Sequence, residues 1–435
     1  MGKSYRPYLP DQEFLLPPSL RDWLPENHLA YFVSDVIDNL DLSPMDAVYG
    51  DEQRGQPPYH PRLMTKLLVY GYCIGVFSSR RIQQRLAEDI AFRVLAAGNE
   101  PNFRTISDFR KIHLSTLEGF FEQVLKIALE AGAMKLGRVA LDGTKVKANA
   151  SKHKAMSYGR MREKEQQIRA EVKELLAQAE AADAEEDERY GKGHRGEELP
   201  AELQRRETRL KKIREAKRAL EQRAREKAAT SAEPAEKAKP ADKDQYNFTD
   251  PESRIMMGPD GFVQGYNAQA AVEPDLQLIV GQTVTAAAND KEQLLPMTDL
   301  IEQQSGQRPE AVLADSGYNS EANLEKLEAA APDRKIEAYI AAGKSKHGEH
   351  RKACPRGPLP KGATREERMK RKLQTKAGRA LYAARKAIVE PVFGQIKQAR
   401  GFRQFLLRGI EKVRGEWALV CLTHNILKLY RLCHE

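Results

Sequence analysis

Arg138-Val139-Ala140-Leu141-Asp142-Gly143-Thr144-Lys145-Val146-Lys147-Ala148-Asn149 is the stretch from which the rest of the chain can be ordered. Residues 139–141 are apolar without a break, as in a strand covered on both faces. Asp142 ends that run, Gly143 and Thr144 allow a bend, and Lys145, Val146 and Lys147 alternate as a half-exposed strand does. An aspartate at a strand end is, taken alone, usually a turn residue. Two later stretches change that reading. Ala311-Val312-Leu313-Ala314-Asp315-Ser316-Gly317-Tyr318 repeats the device of apolar run, aspartate and glycine-containing turn. Ala387-Ile388-Val389-Glu390-Pro391-Val392-Phe393-Gly394 sets a glutamate in a long basic, helix-like segment. Two strand-end aspartates and a helical glutamate are what an acidic two-metal site needs.

The 435 residues suffice for two or three domains with full cores. Lys and Arg number 71 against 62 Asp and Glu, a net charge of +9. The excess is local. Residues 344–414 hold 21 Lys and Arg against 5 Asp and Glu, so the remainder, with 50 against 57, is acidic. An anionic polymer is the natural partner of such a stretch. The four cysteines are far apart, and Cys421-Leu422-Thr423-His424 is only half a metal motif. No signal peptide and no apolar span of about 18 residues is visible, so the expectation is a cytoplasmic protein with reduced thiols and no membrane partner.

Residues 1–136 read as a helical N-terminal domain behind a proline-rich lead-in. The expected helices are 28–40, one from Pro61, one from Ser78-Ser79-Arg80-Arg81 to about residue 97, and one or two over 105–130. Arginine-rich helix starts, Arg80 and Arg81 among them, fit a helix-turn-helix reader of DNA and equally a helical packing domain. Residues 157–244 read as an insertion and its linker. Ile168, Val172, Leu175 and Ala179 form one apolar stripe, and Leu203, Leu210, Ile213 and Leu220 another, after a glycine-rich break. That pattern predicts an antiparallel helical hairpin. The core occupies 137–156 and 245–435: strands at 261–272, 278–286, 311–315 and 336–341 join the first. A helix capped by Asn289 or Asp290, one over 320–329, the long helix bearing Glu390, and a last helix over 411–433 complete it. The fold class is α/β, a mixed five-stranded sheet flanked by helices.

This order resembles the RNase H-like fold of DDE transposases. The phrases Leu141-Asp142-Gly143-Thr144, Gly265-Tyr266-Asn267-Ala268-Gln269, Ala314-Asp315-Ser316-Gly317-Tyr318 and Val389-Glu390-Pro391-Val392-Phe393-Gly394-Gln395-Ile396-Lys397 are similar to those of bacterial insertion-sequence transposases. The resemblance implies that Asp142, Asp315 and Glu390 are catalytic and bind two Mg²⁺ ions, or Mn²⁺. It implies double-stranded DNA as partner, a homodimer assembled on it, and a place in the nucleoid. The family's glutamate signature is Tyr, two residues, Arg, three residues, Glu, six residues, Lys. Tyr382 and Arg385 keep the first spacing and Glu390 and Lys397 the last, but Arg385 lies five before Glu390, and Lys386 takes the four-residue offset. On a regular helix Arg379, Lys386 and Lys397 fall within roughly 40° of Glu390 and Arg385 about 140° away, which favours Lys386 over Arg385 for the arginine's role. Such a stripe of cations beside a metal-binding carboxylate would hold the phosphates of a DNA end, and Tyr382, Arg385, Arg80 and Arg81 join it as expected DNA-binding residues. Pro391 works against helix at that point. Asp250, in a turn, and Asp290 are the rivals for the second ligand. A non-catalytic DNA-binding derivative and a nuclease without joining activity are the alternative functions.

Overall fold

The apolar run at residues 139–141 lies at the middle of a sheet, buried on both faces. The structure, a computed structural model, describes residues 19–49, 57–190, 201–230, 238–258, 261–328, 335–341, 357–360 and 362–434. The proline-rich lead-in, the glycine-rich break at 191–200 and much of the basic stretch at 342–356 lie outside the described residues.

Helices come first: α1 (Leu29–Asp38), the single turn α2 (Ser43–Asp46), α3 (Pro61–Cys73), α4 (Ser79–Glu88), α5 (Ile90–Leu95), α6 (Phe103–Ile112) and α7 (Leu114–Glu130). Pro61 stands at the first turn of α3, where its missing N–H costs nothing. The single helix expected over 78–97 is two. Asp89 is extended, and its carboxylate accepts the N–H of Ala91, closing α4 and capping α5.

The remaining elements are β1 (Arg138–Lys147), β2 (Ala155–Ser157), α8 (Tyr158–Tyr190), α9 (Ala201–Thr230), β3 (Gln245–Asn247), β4 (Arg254–Gly258), β5 (Gly261–Val272), β6 (Ile279–Thr285), α10 (Leu294–Ser305), β7 (Ala311–Ala314), α11 (Glu321–Glu328), β8 (Glu337–Ile340), α12 (Arg365–Gln374), α13 (Lys376–Gly394) and α14 (Ile410–His434). β1 pairs antiparallel with β5 and parallel with β7, which pairs parallel with β8. β6 pairs antiparallel with the later half of β5. The five expected strands thus run β6-β5-β1-β7-β8. A strand the sequence pattern did not reveal, β4, pairs with the first half of β5, making the sheet six-stranded. β1 does not bend at Gly143. It stays paired with β5 from Ala140 to Lys147. The helix expected to be capped by Asn289 or Asp290 begins only at Leu294. α13 runs through Pro391 and ends in one π-helical turn, Gln395–Ala399.

One apolar core runs from Ala30 to Ile426 and joins the N-terminal helices to the sheet. α14 is the shared element, packed between α3 and α7 on one side and β6 on the other. Gly415 allows the close approach, because a Cβ there would collide with the Leu114 side chain of α7. Beside it, the fully buried Glu416 accepts the Tyr72 hydroxyl at 3.1 Å and the N–H groups of Leu406 and Leu407, each at 3.0 Å. Arg110 donates to the same Tyr72 oxygen, so four segments meet at one satisfied buried polar group.

The insertion has its own core. Met161 and Ile168 of α8 pack on Leu210, Ile213, Ala216 and Leu220 of α9, with Tyr246 and Phe248 at the base. Glu165 is buried between them and pairs with Arg169, with Lys217 at 2.7 Å and with Arg214 at 3.3 Å. The hairpin is rooted in a two-stranded ladder in which Ser157 faces Gln245.

Candidate active site

The register of the central parallel pair brings the two aspartates together. Ala140 faces Leu313 in the ladder of β1 and β7. Asp142, still paired with Ala270 inside β1, and Asp315, just past the end of β7, each lie two residues beyond that pair, so the register sets them side by side. Burial, reinforced by the negative charge of Asp315 and opposed by Arg385, pushes the Asp142 carboxyl up to about 6. Its Oδ1 accepts the N–H of Gly143 at 2.8 Å, and Asp315 Oδ1 accepts that of Gly317 at 2.8 Å. Each carboxylate is thereby oriented by a backbone N–H one or two residues further along its own segment.

α13 crosses this end of the sheet. Its buried face carries Arg385, Ile388, Val389 and Val392. The Arg385 guanidinium reaches Asp142 Oδ2 at 3.2 Å, and the Tyr382 hydroxyl is pushed up by burial, against the pull of the Arg385 charge. Lys386 is exposed. The cation of α13 that pairs with Asp142 is therefore Arg385, not Lys386. Helix angles measured from Glu390 alone favoured Lys386, whereas the apolar positions decide which face turns to the sheet, and Arg385 belongs to that face. Glu390 itself is exposed, with Arg379 and Lys386 along its side of the helix, and among the described residues it makes no hydrogen bond or ion pair. Lys397 lies in the π-helical turn, which breaks the α-helical phase, and donates to Thr144 Oγ1 at 2.6 Å and to the Lys145 carbonyl at 2.7 Å. Contacts at Arg385 and Lys397 thus tie α13 to β1 on both sides of Glu390.

Behind the aspartates lies a polar network in which only Asp290 is read from the sequence as a candidate ligand. Asp290 Oδ1 accepts the side-chain amides of Asn267 and Gln269, each at 2.6 Å, and lies 3.8 Å from Lys145 Nζ. Burial lowers the Lys145 ammonium, against the pull of Asp290, Asp142 and Asp315. The Tyr318 hydroxyl, pushed far up by burial, donates to Gln269 Oε1. The signal was present: Asn267 and Gln269 alternate on one face of residues 266–272 of β5, whose other positions are apolar and fully buried. Asp250 stands elsewhere, accepting the Tyr266 hydroxyl at 2.8 Å, and is no rival. Arg80 and Arg81 lie on α4, exposed, with the Arg80 guanidinium 4.7 Å from the Phe103 ring centre. Among the described residues neither pairs with the carboxylates.

The donors are all carboxylate oxygens, the set preferred by hard divalent cations. An acid raised by burial beside a second acid fits a site completed by a cation. Among the described residues no group of three His, Cys, Asp or Glu side chains stands close enough to hold one ion as they are placed. The acids present therefore fit the chemistry of such an ion through the Asp142 and Asp315 pair, and no contact holds Glu390 away from it.

Two family models match the chain. A transposase domain (DUF772) covers residues 18–112, the helices α1 to α6, and a transposase DDE domain covers residues 237–426, from before β3 into α14. No curated protein and no solved structure matches it. The DDE domain carries the RNase H-like fold, acts on DNA and depends on divalent metal. With transposase family models matched at residues 18–112 and 237–426, the chain belongs to the insertion-sequence DDE transposases.

Proposed function

We propose that Asp142, Asp315 and Glu390 are the acids of a single site that cleaves and joins DNA strands at the ends of an insertion sequence, and that they hold two Mg²⁺ ions, replaceable by Mn²⁺. The observation that carries this reading is the register that sets Asp142, within β1, beside Asp315, at the end of β7. The chemistry supplied by bound ions is activation of a water or a 3′-hydroxyl and stabilisation of the leaving oxygen in an in-line attack on a phosphodiester. The protein's own groups do the rest. Arg385 fixes the Asp142 carboxylate and, with Lys397, locks α13 onto β1. Arg379 and Lys386 flank Glu390 on the exposed face, where DNA phosphates would lie. Arg80 and Arg81 offer the N-terminal helices a second phosphate contact. The hairpin of α8 and α9 is suited to contact DNA or a second protomer, and a homodimer assembled on DNA in the nucleoid is the working form.

Asp142→Asn, Asp315→Asn and Glu390→Gln each keep side-chain size while removing a ligand charge. Each should lower cleavage and joining together by at least about 10²-fold, because one site does both, and leave DNA binding in place. Full metal-dependent cleavage by Asp315→Asn would remove that residue from the site. Joining of DNA, assayed beside cleavage, separates transposition from hydrolysis alone.

A further inference from the structure

Asp290 has no place in the acid set proposed above, yet the chain is shaped around it. It sits in the connection between β6 and α10, with its side chain 17% exposed. Two glycines make room for it. A Cβ on Gly143 would lie 2.7 Å from Asp290 Oδ1 and 2.9 Å from Asn267 Oδ1, and would collide with the Gln269 amide. A Cβ on Gly317 would lie 2.9 Å from Asp315 Oδ1 and 3.4 Å from Asp290 Oδ2. These are the glycines that follow Asp142 and Asp315 in the chain. The space beside each glycine is filled by the same carboxylate.

The contacts of that carboxylate reach every element bearing a proposed acid of the sheet. Asn267 and Gln269, on β5, are the ladder partners of Lys145 and Gly143 on β1, and Asp290 draws both amides and the Lys145 ammonium together. Gln269 passes the link to the Tyr318 hydroxyl, in the turn that starts at Asp315. Asn323 closes the circuit, donating to the Lys291 carbonyl at 2.5 Å and to the Tyr318 carbonyl at 2.9 Å. Asn267 is fully buried and its Oδ1 has no partner, so the network keeps its alignment against a polar cost.

We infer that Asp290 is a positioning residue for strand cleavage: it braces β1, β5 and the Asp315 turn from behind and so sets the spacing of Asp142 and Asp315. The inference rests on the assignment of those two residues to the reacting site. The role is acceptance of hydrogen bonds, which an asparagine oxygen can also perform, and not ligation of a cation, which needs the charge.

The test compares Asp290→Ala, Asp290→Asn and Tyr318→Phe in the full-length protein. The readouts are single-turnover cleavage of DNA bearing the element's ends, DNA binding, and Mn²⁺ affinity by calorimetry. Asp290→Ala should lose about 10²-fold in cleavage, as expected when reacting groups shift by about 1 Å, and bind Mn²⁺ about tenfold more weakly, with DNA binding unchanged. Asp290→Asn should stay within about tenfold of wild type in cleavage and keep Mn²⁺ affinity. Tyr318→Phe, which keeps the ring and cuts one link, should lose about tenfold in cleavage whether or not Asp290→Ala folds. Cleavage by Asp290→Ala within about threefold of wild type, or an unchanged rate in Tyr318→Phe, overturns the inference. So does an Asn variant as impaired as the Ala variant, since the charge itself would then be required. Absence of cleavage by the wild-type protein would instead count against the catalytic assignment, and the Mn²⁺ titrations would still read the brace.

Discussion

Burial sets the protonation of Asp142. Its carboxyl is pushed from the ordinary 3.8 to about 6, first by desolvation and then by Asp315, with Arg385 pulling the other way. A raised acid favours the protonated native state. Its contribution to stability is complete below the ordinary value and is lost as pH rises through about 6. The shift corresponds to at most about 3 kcal/mol. Without metal, the melting temperature of the wild-type protein should therefore fall between about pH 4 and 6.5, and Asp142→Asn should flatten that fall. Thermal unfolding in chelator across this range checks it, and identical slopes for the two proteins would contradict it. Both aspartates were legible in the sequence because an apolar run that stops at an acid needs only local reading. The orientation of α13 was not. Which of Arg385 and Lys386 turns inward depends on where Ile388, Val389 and Val392 find the sheet, a tertiary matter that spacing to Glu390 does not encode. Asp290 reads in the sequence as a helix cap, which it is not, since α10 begins at Leu294; it is a hydrogen-bond hub, because its partners come from β5 and β1.

The hairpin shows what an element's root decides. Its apolar stripes were readable over α8 and α9, since apolar positions that recur along an otherwise charged helix mark the face it buries. Its attachment was not readable: β2 and β3 are three residues each, too short for a strand pattern. β4 escaped for a related reason, since Arg254-Ile255-Met256-Met257-Gly258 alternates poorly and buries mainly Met256. Because Ser157 and Gln245 face one another across the β2–β3 ladder, residues 158–244 can be replaced by a tight Asn-Gly turn without moving either strand. The hairpin's core is separate from the main one, so the shortened protein should fold, with a melting temperature within about 5 °C of wild type, and assemble less well on DNA. The main losses are the hydrogen bond from Arg223 to the Pro251 carbonyl and its guanidinium's place over Tyr246. Circular dichroism and sedimentation with DNA read the two outcomes, and loss of cooperative unfolding would show the hairpin to be part of the catalytic fold.

At the scale of the whole molecule, charge and connectivity are both unevenly placed. The basic stretch faces solvent on α12 and α13, where Lys370, Lys376, Arg379 and Lys386 are exposed, while most of the chain is acidic. Neutralising these four together should reduce the slope of log K against log salt for DNA binding by roughly 3.6, if each meets a phosphate. An unchanged slope would place the DNA on the N-terminal helices instead. That one core spans both matched regions was not legible, because nothing local in Leu114, Tyr72 or Arg110 names the distant Gly415 and Glu416 as partners. α14 carries a consequence of a different kind, set by the clock of synthesis. α3 and α7 are complete long before the element that covers them, since Glu130 ends α7 and Ile410 begins α14. At about 5–20 residues per second the ribosome needs roughly 15–60 s to bridge that gap. For that interval the faces of α3 and α7 that α14 covers lack their native partner, and a message cut short before α14 leaves them so permanently.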